Sequence, residues 1–364
     1  MNLTDPYKLV NLIRFPEDTI SLMDCDEEDY SQSDLEFFHS QNSIQISKKI
    51  TPELFYAVEK TRSNLNLQET DLSSFVYNSP EINAKCFLGE DEKFVVLLSS
   101  SLIKLLDMGE LIFVIGHELG HLLLNHTKER KDNSPYGLIK SRAKEISVDR
   151  IGLIASRDID VSIKAMIKTI AGLDEEYIKF NTSELLKQLS SVKNINDSVL
   201  NQSTHPSFLL RIKALVWFSL SNEYQSLSKK NGKNLDEINR LIQKDLDTYI
   251  NKSIKLNIES CKESFKFWLS IFAAAEDGRF SKDEQKEIEE IFGQEKLHKF
   301  INMIKGMGMA EAKKIIRNKL VNAYEKVTYQ ISEDTSDELQ SDLKEIGEKF
   351  KVLNFEELVL QVLN

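Results

Sequence analysis

Cysteine is scarce in this sequence, and the three that occur, Cys25, Cys86 and Cys261, form no Cys-x-x-Cys pair. An odd number of widely spaced cysteines argues against a disulfide framework and favours a reducing compartment, so we expect a cytoplasmic protein. The first residues lack a basic region followed by an apolar run, so no signal peptide is expected. Long apolar runs without charge are missing as well, which predicts no membrane span.

Basic residues are outnumbered, because 58 acidic side chains face 47 Lys and Arg and leave a formal net charge of −11. This balance argues against a nucleic-acid partner, whose phosphates attract basic surfaces. The hydrophobic share of 41% and the charged share of 29% are typical of a soluble globular protein. A chain of 364 residues is long enough for two domains.

Histidine is also rare, yet two of the six histidines belong to the pattern His117-Glu118-Leu119-Gly120-His121. The pattern lies in an apolar run, residues 111–124, that predicts a buried helix. Residues four apart share one helical face, so His117 and His121 can offer imidazole nitrogens to one metal ion. Glu118 can then reach a water beside the ion, and zinc is the expected metal. The competing interpretation is that such a His is an ordinary hydrogen-bonded core residue.

A zinc site needs a third protein ligand, and its position separates the classes of zinc peptidase. The metzincin pattern is excluded, because Leu124 and Thr127 stand where it requires Gly and His. A gluzincin takes a Glu from a following helix, and Glu145 is the candidate. Asp149, four residues later, could accept the free ring N–H of a ligating His. Alternatively, the two acids are an ordinary surface Glu and a capping or ion-paired Asp.

Two further histidines lie close to these motifs in the sequence. His126 follows His121 by five residues, about 140° round the helix, so we expect a polar supporting role and not a third ligand. His205 precedes Pro206, which favours a turn or extended backbone, and could donate to a developing oxyanion. Arg211 could anchor that loop to a carboxylate. His39 and His298 have no comparable neighbourhood and are interpreted as incidental.

The residues before the metal-binding helix predict strands. Three short stretches rich in β-branched and aromatic residues, 74–77, 82–87 and 94–98, indicate a small antiparallel sheet with a hairpin. Thr51-Pro52-Glu53 predicts a helix start before them, and Gly109 is interpreted as a break between a short helix and the metal-binding helix. One strand could present its edge to an extended peptide.

After Ser141 the sequence is helical almost throughout, and residues 229–234 are the best linker candidate. In the last part, residues 273–284 fail the EF-hand ligand pattern, and Ser281 with Glu284 predicts a capping box instead. Gly306-Met307-Gly308 predicts a turn between helices. An acidic cluster at residues 24–29 is interpreted as a solvated loop, with a pro-segment or docking tail as the alternative.

Together these motifs resemble the HtpX/CAAX-prenyl-protease family of zinc peptidases, metallopeptidase family forty-eight, over roughly residues 50–220. The resemblance implies zinc ligation by His117, His121 and Glu145, with Glu118 as general base. It also implies that Asp149 supports a ligand and that His205 stabilises the transition state. Ile82-Asn83-Ala84 and Glu110 are similar to the edge-strand and pre-motif positions of the family. The family's Glu-Ala before the Asp and its membrane spans are missing here.

The sequence therefore predicts an α+β, mostly helical protein: a zincin-type catalytic domain with a small antiparallel sheet, and an all-α C-terminal domain. The expected boundaries are an N-terminal segment at 1–48, the peptidase at 49–228, a linker helix region at 229–257, and a helical domain at 258–364 that resembles TerB-like tellurite-resistance domains.

The predicted function is a zinc-dependent endopeptidase with one Zn²⁺ per chain that acts on proteins or peptides. The alternative is a metal-stabilised scaffold or sensor whose helical C-terminal domain binds a protein partner while the peptidase site stays latent. An intact Glu118 favours the enzyme, since a purely structural metal site has no need of a general base.

Overall fold

The computed structural model describes residues 5–18, 31–128, 132, 134–191, 208–247, 252–276, 278, 280–330 and 336–363. Its contacts divide the chain into two units. The first contains residues 1–131 and 138–251, and the second contains residues 132–137 and 252–364. None of the described helices combines the length and the apolar character needed to cross a lipid bilayer.

A four-stranded sheet lies at the start of the first unit, with strands β1 (Ile44–Gln45), β2 (Leu72–Tyr77), β3 (Ala84–Leu88) and β4 (Phe94–Ser99) in the order β1-β2-β4-β3. The expected hairpin is confirmed, because β3 and β4 pair antiparallel. The expectation of a purely antiparallel sheet is wrong. β3 takes the outer position, so β4 returns between β3 and β2 and pairs with β2 in parallel register.

Helices dominate the rest of the first unit, as the sequence predicts. The helices up to residue 247 are α1 (Pro6–Ile13), α2 (Ser31–Asn42), α3 (Pro52–Asn64), α4 (Ser100–Leu105), α5 (Met108–Leu123), α6 (Pro135–Ser156), α7 (Ile159–Ala171), α8 (Thr182–Ser191), α9 (Phe208–Phe218), α10 (Asn222–Gln225) and α11 (Leu235–Leu246). Short 3-10 turns stand at Glu90–Glu92, His126–Lys128 and Ser226–Ser228.

Helix α5, which carries His117 and His121, begins earlier than predicted. Asp107 is its N-cap and accepts from the Glu110 backbone N–H at 2.9 Å, while the Glu110 carboxylate accepts from the Asp107 N–H at 2.9 Å. This reciprocal capping box fixes the start of the helix at Met108. Gly109 therefore lies inside α5, and the predicted break at this residue is wrong.

The core of the first unit surrounds α5, whose Ile115 and Leu119 are completely buried. Helix α1 contributes Leu9, Val10 and Ile13 to the same core, so the described part of the segment 1–48 packs with the residues that follow it. Burial of several large apolar side chains stabilises a helix of this length far more than its intrinsic propensity does. Residues 229–234 also lie within this unit.

The described elements of the second unit are all helical: α12 (Lys252–Ala274), α13 (Lys282–Phe292), α14 (Gln294–Ile304), α15 (Met309–Gln330), α16 (Ser336–Lys349) and α17 (Phe355–Leu363). The capping box of Ser281 and Glu284 is confirmed at the start of α13. The turn at residues 306–308 is confirmed between α14 and α15. The TerB-like resemblance and the exact domain boundaries stay predictions.

Candidate metal centre

The three predicted ligands, His117, His121 and Glu145, meet between α5 and α6. Nε2 of His117 lies 3.9 Å from Oε2 of Glu145, and Nε2 of His121 lies 3.7 Å from Oε1 of the same carboxylate. One ligand atom from each of the three residues falls within 4.8 Å of the others. Donor atoms around one tetrahedral zinc ion stand roughly 3 to 4 Å apart, so this set has the size of a metal site.

Small residues allow α5 and α6 to approach closely beside this site. A Cβ added at Gly116 would collide with the Cβ of Ala155. On the opposite helix, a Cβ at Gly152 would lie 2.9 Å from the backbone oxygen of Phe113. The glycines therefore set the spacing between the two helices, and that spacing places Glu145 across from the two histidines.

A carboxylate and an arginine support His117. Nδ1 of His117 lies 3.0 Å from Oδ1 of Asp149, which follows Glu145 by about one helical turn. Arg211 of α9 donates to both oxygens of Asp149, and its Nη1 lies 3.0 Å from Glu145. Burial alone would raise the pKa of Asp149, but the charge and hydrogen bonds of Arg211, with those of His117, lower it. Asp149 is therefore ionised and accepts a hydrogen bond from Nδ1–H of His117, so the neutral ring carries its lone pair on Nε2, the nitrogen that faces Glu145.

A second chain of contacts supports His121. Its Nδ1 lies 3.0 Å from Nδ1 of His126, and Nε2 of His126 lies 3.0 Å from Oδ1 of Asp18. Arg14 donates to the same carboxylate at 3.1 Å. Burial would raise the pKa of Asp18, but the hydrogen bond and charge of His126, together with Arg14, lower it to about 2. The supporting place predicted for His126 agrees with this geometry, whereas Asp18 and Arg14 were not predicted.

The protonation state of His121 suits a ligand. Burial lowers the pKa of its imidazole to about 3, and the charge of the neighbouring His117 acts in the same direction. The ring is thus neutral at neutral pH, as metal ligation requires. Two neutral imidazoles and a carboxylate form a borderline donor set that fits zinc well.

Glu118 lies near Cys86 of β3, whose thiol acts on the pKa of Glu118 as a hydrogen-bond donor. Burial raises the pKa of Glu118, while His117 and the Cys86 hydrogen bond partly offset this rise. Burial also raises the pKa of the Cys86 thiol well above its usual range, so Cys86 is a neutral donor to Glu118. Sequence reasoning missed Cys86, because the contact joins a strand to a helix 32 positions away and leaves no local pattern.

The predicted substrate strand lies at the edge of the sheet. Ile82 and Asn83 lead into β3, which begins at Ala84. Asn83 donates its N–H to Oγ of Ser99 at 3.1 Å and accepts from the Ser99 N–H at 3.0 Å. Among the described strands β3 pairs only with β4, so its other edge faces no strand in that part of the chain. A bound extended peptide would find backbone donors and acceptors there.

Other candidate residues lie elsewhere. His205 falls outside the described residues, which resume at Phe208 with α9. His39 is hydrogen-bonded to Ser43 at 2.9 Å, in agreement with an incidental residue. A second acidic group, Glu110 with Glu175, is paired to Lys168 at 2.8 and 3.6 Å. The ammonium group of Lys168 therefore already balances the charge of these two carboxylates.

Comparison with known proteins bears on the same region. Residues 49–136 match the model of Peptidase family M48. The chain is 27% identical over 218 residues to the plastoglobule-localized metallopeptidase 48, chloroplastic, of Arabidopsis thaliana. This match covers 52% of the chain and 63% of the relative, so the chain spans less than two thirds of that protein. The range matched by the family model holds His117, Glu118 and His121, whereas Asp18 and Glu145 lie outside it.

Proposed function

Since residues 49–136 match the model of peptidase family M48, we propose that this chain is a zinc-dependent endopeptidase acting on protein or peptide substrates. The observation that carries the proposal is the convergence of His117, His121 and Glu145 on one point. In each histidine, Nδ1 contacts a supporting side chain and Nε2 faces Glu145. This arrangement supports a metal site over an ordinary buried polar cluster.

His117, His121 and Glu145 would hold one zinc ion per chain, with Asp149 and Arg211 supporting them. When bound, zinc supplies a Lewis acid that polarises a carbonyl oxygen and favours deprotonation of water. The remaining position of a four-coordinate ion would be left for water or substrate, as in catalytic zinc sites.

Glu118 is the proposed general base. It follows His117 directly on α5, so its carboxylate projects beside the ligands and not between them. Its raised pKa lies closer to neutral pH than that of an ordinary carboxylate, which favours both uptake and release of a proton. Glu118 would take a proton from the attacking water and pass it to the leaving amine.

The edge of β3 is the proposed place for the substrate backbone. A peptide added there would lie on the strand that carries Cys86, the partner of Glu118, so its scissile bond would pass near the base. His205 is proposed to stabilise the oxyanion, a role that rests on the sequence motif alone. A reducing compartment such as the cytoplasm fits the free thiols of Cys86 and Cys261.

Substitution Glu118→Gln tests the mechanism. The variant keeps the shape of the side chain but cannot accept a proton, so we expect stoichiometric zinc and a loss of cleavage of about 100-fold or more. Zinc content and digestion of a peptide library, with and without a chelator, measure the two quantities. Glu53→Gln, on the exposed side of α3, is the matched control and should behave like the wild type. Full cleavage by a zinc-loaded Glu118→Gln protein would disprove the mechanism.

The same digest separates the enzyme from the alternative, a metal-stabilised scaffold or sensor with a partner-binding helical unit. A scaffold requires that the wild-type protein cleave nothing in the library and that its metal carry a fourth protein ligand. Chelator-sensitive cleavage by the wild type would exclude it. A protein partner for the second unit stays a prediction from the sequence.

A further inference from the structure

Asp18 and His126 are buried behind His121, on the side away from Glu145. Their side chains are only 0% and 4% exposed, so each polar contact they make is made without competition from bulk water. The three residues form a continuous path from His121 Nδ1 through the His126 ring to the Asp18 carboxylate, with both steps at 3.0 Å. Asp18 lies 108 residues before His126 in the chain.

The direction of the protons along this path decides whether His121 can bind a metal. An ionised Asp18 accepts a proton, so His126 must carry its hydrogen on Nε2 and present a bare Nδ1. That bare nitrogen accepts from Nδ1–H of His121, which leaves the Nε2 lone pair of His121 free. Without the carboxylate, His126 can adopt the other tautomer and donate to His121, whose proton would then occupy Nε2 and block ligation.

Asp18 is held in place by contacts that anchor the chain before it. Arg150 of α6 donates to the backbone oxygen of Ile13 at 2.7 Å, and its guanidinium lies 5.2 Å from the centre of the Phe15 ring. The Phe15 N–H donates to Ser147 at 2.9 Å. Arg14 adds its ion pair with Asp18 and a 3.4 Å contact to the backbone oxygen of Leu124. Arg150 and Ser147 belong to α6, the helix that carries Glu145.

We infer that Asp18 is a positioning residue of the metal centre, which fixes the tautomer and orientation of His121 through His126. Residues 5–18 then contribute to the site, although they lie outside the range matched by the peptidase family. This inference rests on the proposed function only in taking His121 as a metal ligand, and it requires no peptidase activity.

Zinc affinity of the full chain, measured at pH 7 by competition with a chromophoric chelator, tests the inference. Asp18→Leu removes the acceptor, and we expect its zinc Kd to rise about 100-fold, at the upper end of the range for partners of metal-ligating histidines. Asp18→Asn keeps an acceptor oxygen without the charge and should show a smaller rise, about 10-fold. This graded rescue by the conservative variant distinguishes positioning from simple loss of packing.

The matched control is Glu110→Gln, another buried carboxylate changed to an amide, on the same helix as the two histidines but turned toward Lys168. It should lower the free energy of unfolding while leaving the zinc Kd within about threefold of the wild type. Combining Asp18→Leu with His121→Ala completes a double-mutant cycle. Because Asp18 acts through His121, Asp18→Leu should have no further effect on Kd when His121 is already absent.

Two results would overturn the inference. One is a zinc Kd of Asp18→Leu within about threefold of the wild type, and the other is an additive double-mutant cycle. A failed proposal of peptidase function gives a different pattern, in which the wild type binds zinc, Asp18→Leu weakens that binding through His121, and no peptide is cleaved. Absence of zinc binding by the wild-type chain would disprove both.

Discussion

The guanidinium of Arg211 meets the carboxylate of Asp149 through two parallel hydrogen bonds, Nε to Oδ2 at 2.8 Å and Nη2 to Oδ1 at 2.7 Å. Its remaining nitrogen, Nη1, lies 3.0 Å from Glu145 Oε2. One planar cation thus holds two acidic side chains of α6 that would otherwise repel each other. Asp149 is hydrogen-bonded to the His117 ring, and Glu145 is a proposed ligand. Arg211 therefore positions two carboxylates on which the proposed metal site depends.

Substitution Arg211→Lys tests this arrangement. Lysine keeps the positive charge but is a point donor that cannot reproduce the planar fork. We expect the zinc Kd to rise about 10-fold, in the range for partners of metal ligands. Unfolding in urea should show a loss of about 2 kcal/mol. Lys213→Gln is the control on the same helix, because its pair with Asp245 is partly exposed and contributes less than about 1 kcal/mol. If Arg211→Lys and Lys213→Gln had the same zinc Kd and the same free energy of unfolding, the prediction would be contradicted.

The close approach of α5 and α6 predicts the effect of a single methyl group. Gly116→Ala places a Cβ against Ala155 and should lower the free energy of unfolding by about 1 to 3 kcal/mol through overpacking. It should also weaken zinc binding by moving Glu145 away from the histidines.

Adding Ala155→Gly provides the matched reversal, since it removes the methyl group that the new one meets. Stability and zinc affinity should largely return in the double variant, which would give a favourable coupling energy in a thermal or urea denaturation cycle. Gly308→Ala, where no atom lies within 4 Å of the added Cβ, is the neutral control. A double variant no better than Gly116→Ala alone would count against glycine spacing as the cause.

The effect of Cys86 on the pKa of Glu118 predicts how the rate of hydrolysis depends on pH. The pKa of Glu118 is raised by burial, and the hydrogen bond from Cys86 partly offsets that rise. Cys86→Ala removes the offset, so the pKa of Glu118 rises further and the acid limb of the kcat/KM profile moves to higher pH. Cys86→Ser retains a donor and should move the limb less, and Cys261→Ala is the control. An acid limb unchanged, or shifted to lower pH, in Cys86→Ala would refute this assignment.

The ion pair of Lys168 with Glu110 predicts how the free energy of unfolding depends on pH under alkaline conditions. Burial alone would lower the pKa of Lys168, but the hydrogen bond and charge of Glu110, aided by Glu175, raise it above its ordinary value of 10.5. A raised pKa means that the stabilisation is complete below pH 10.5 and is lost as the pH rises through the folded-state pKa.

The variant Lys168→Met leaves Glu110 buried without its cation and should lose about 3 to 5 kcal/mol at pH 8. The difference in free energy of unfolding between the variant and the wild type, measured in urea, should stay constant between about pH 7 and 9. It should then become smaller above the ordinary pKa of lysine. Lys164→Met, one turn earlier on the same helix, removes a pair with Glu175 that is partly exposed and should differ from the wild type by less than about 1 kcal/mol throughout. If this difference in free energy of unfolding became larger with rising pH, the predicted direction of the pH dependence would be wrong.

Local patterns were sufficient for much of the fold. The apolar run around His117 predicted α5, the spaced β-branched residues predicted the β3–β4 hairpin, and Ser281 with Glu284 predicted a helix start. The match of residues 49–136 to Peptidase family M48 agrees with the family inferred from separated motifs. These features depend on residues close together in the chain, where helical and strand periodicity are informative.

Other features of the fold and the site could not be predicted from local sequence patterns. The parallel pairing of β2 with β4 depends on which position β3 takes in the sheet, and strand spacing does not encode that choice. Asp18 carries no motif, and only the packing of the segment before it on α6 brings it to His126. The periodicity that predicted α5 also gave no reason for the helix to start at Met108, after the Asp107 cap, instead of after Gly109.

The contacts behind the two histidines join residues 108, 32 and 62 positions apart. A nascent chain therefore cannot assemble the full centre until α9 has been synthesised and docked, because Arg211 arrives last. Contacts of such long sequence separation also form late and slowly during folding. Tight retention of the ion would then report that the whole first unit has reached its native topology, and chelator-accessible metal would mark chains that have not.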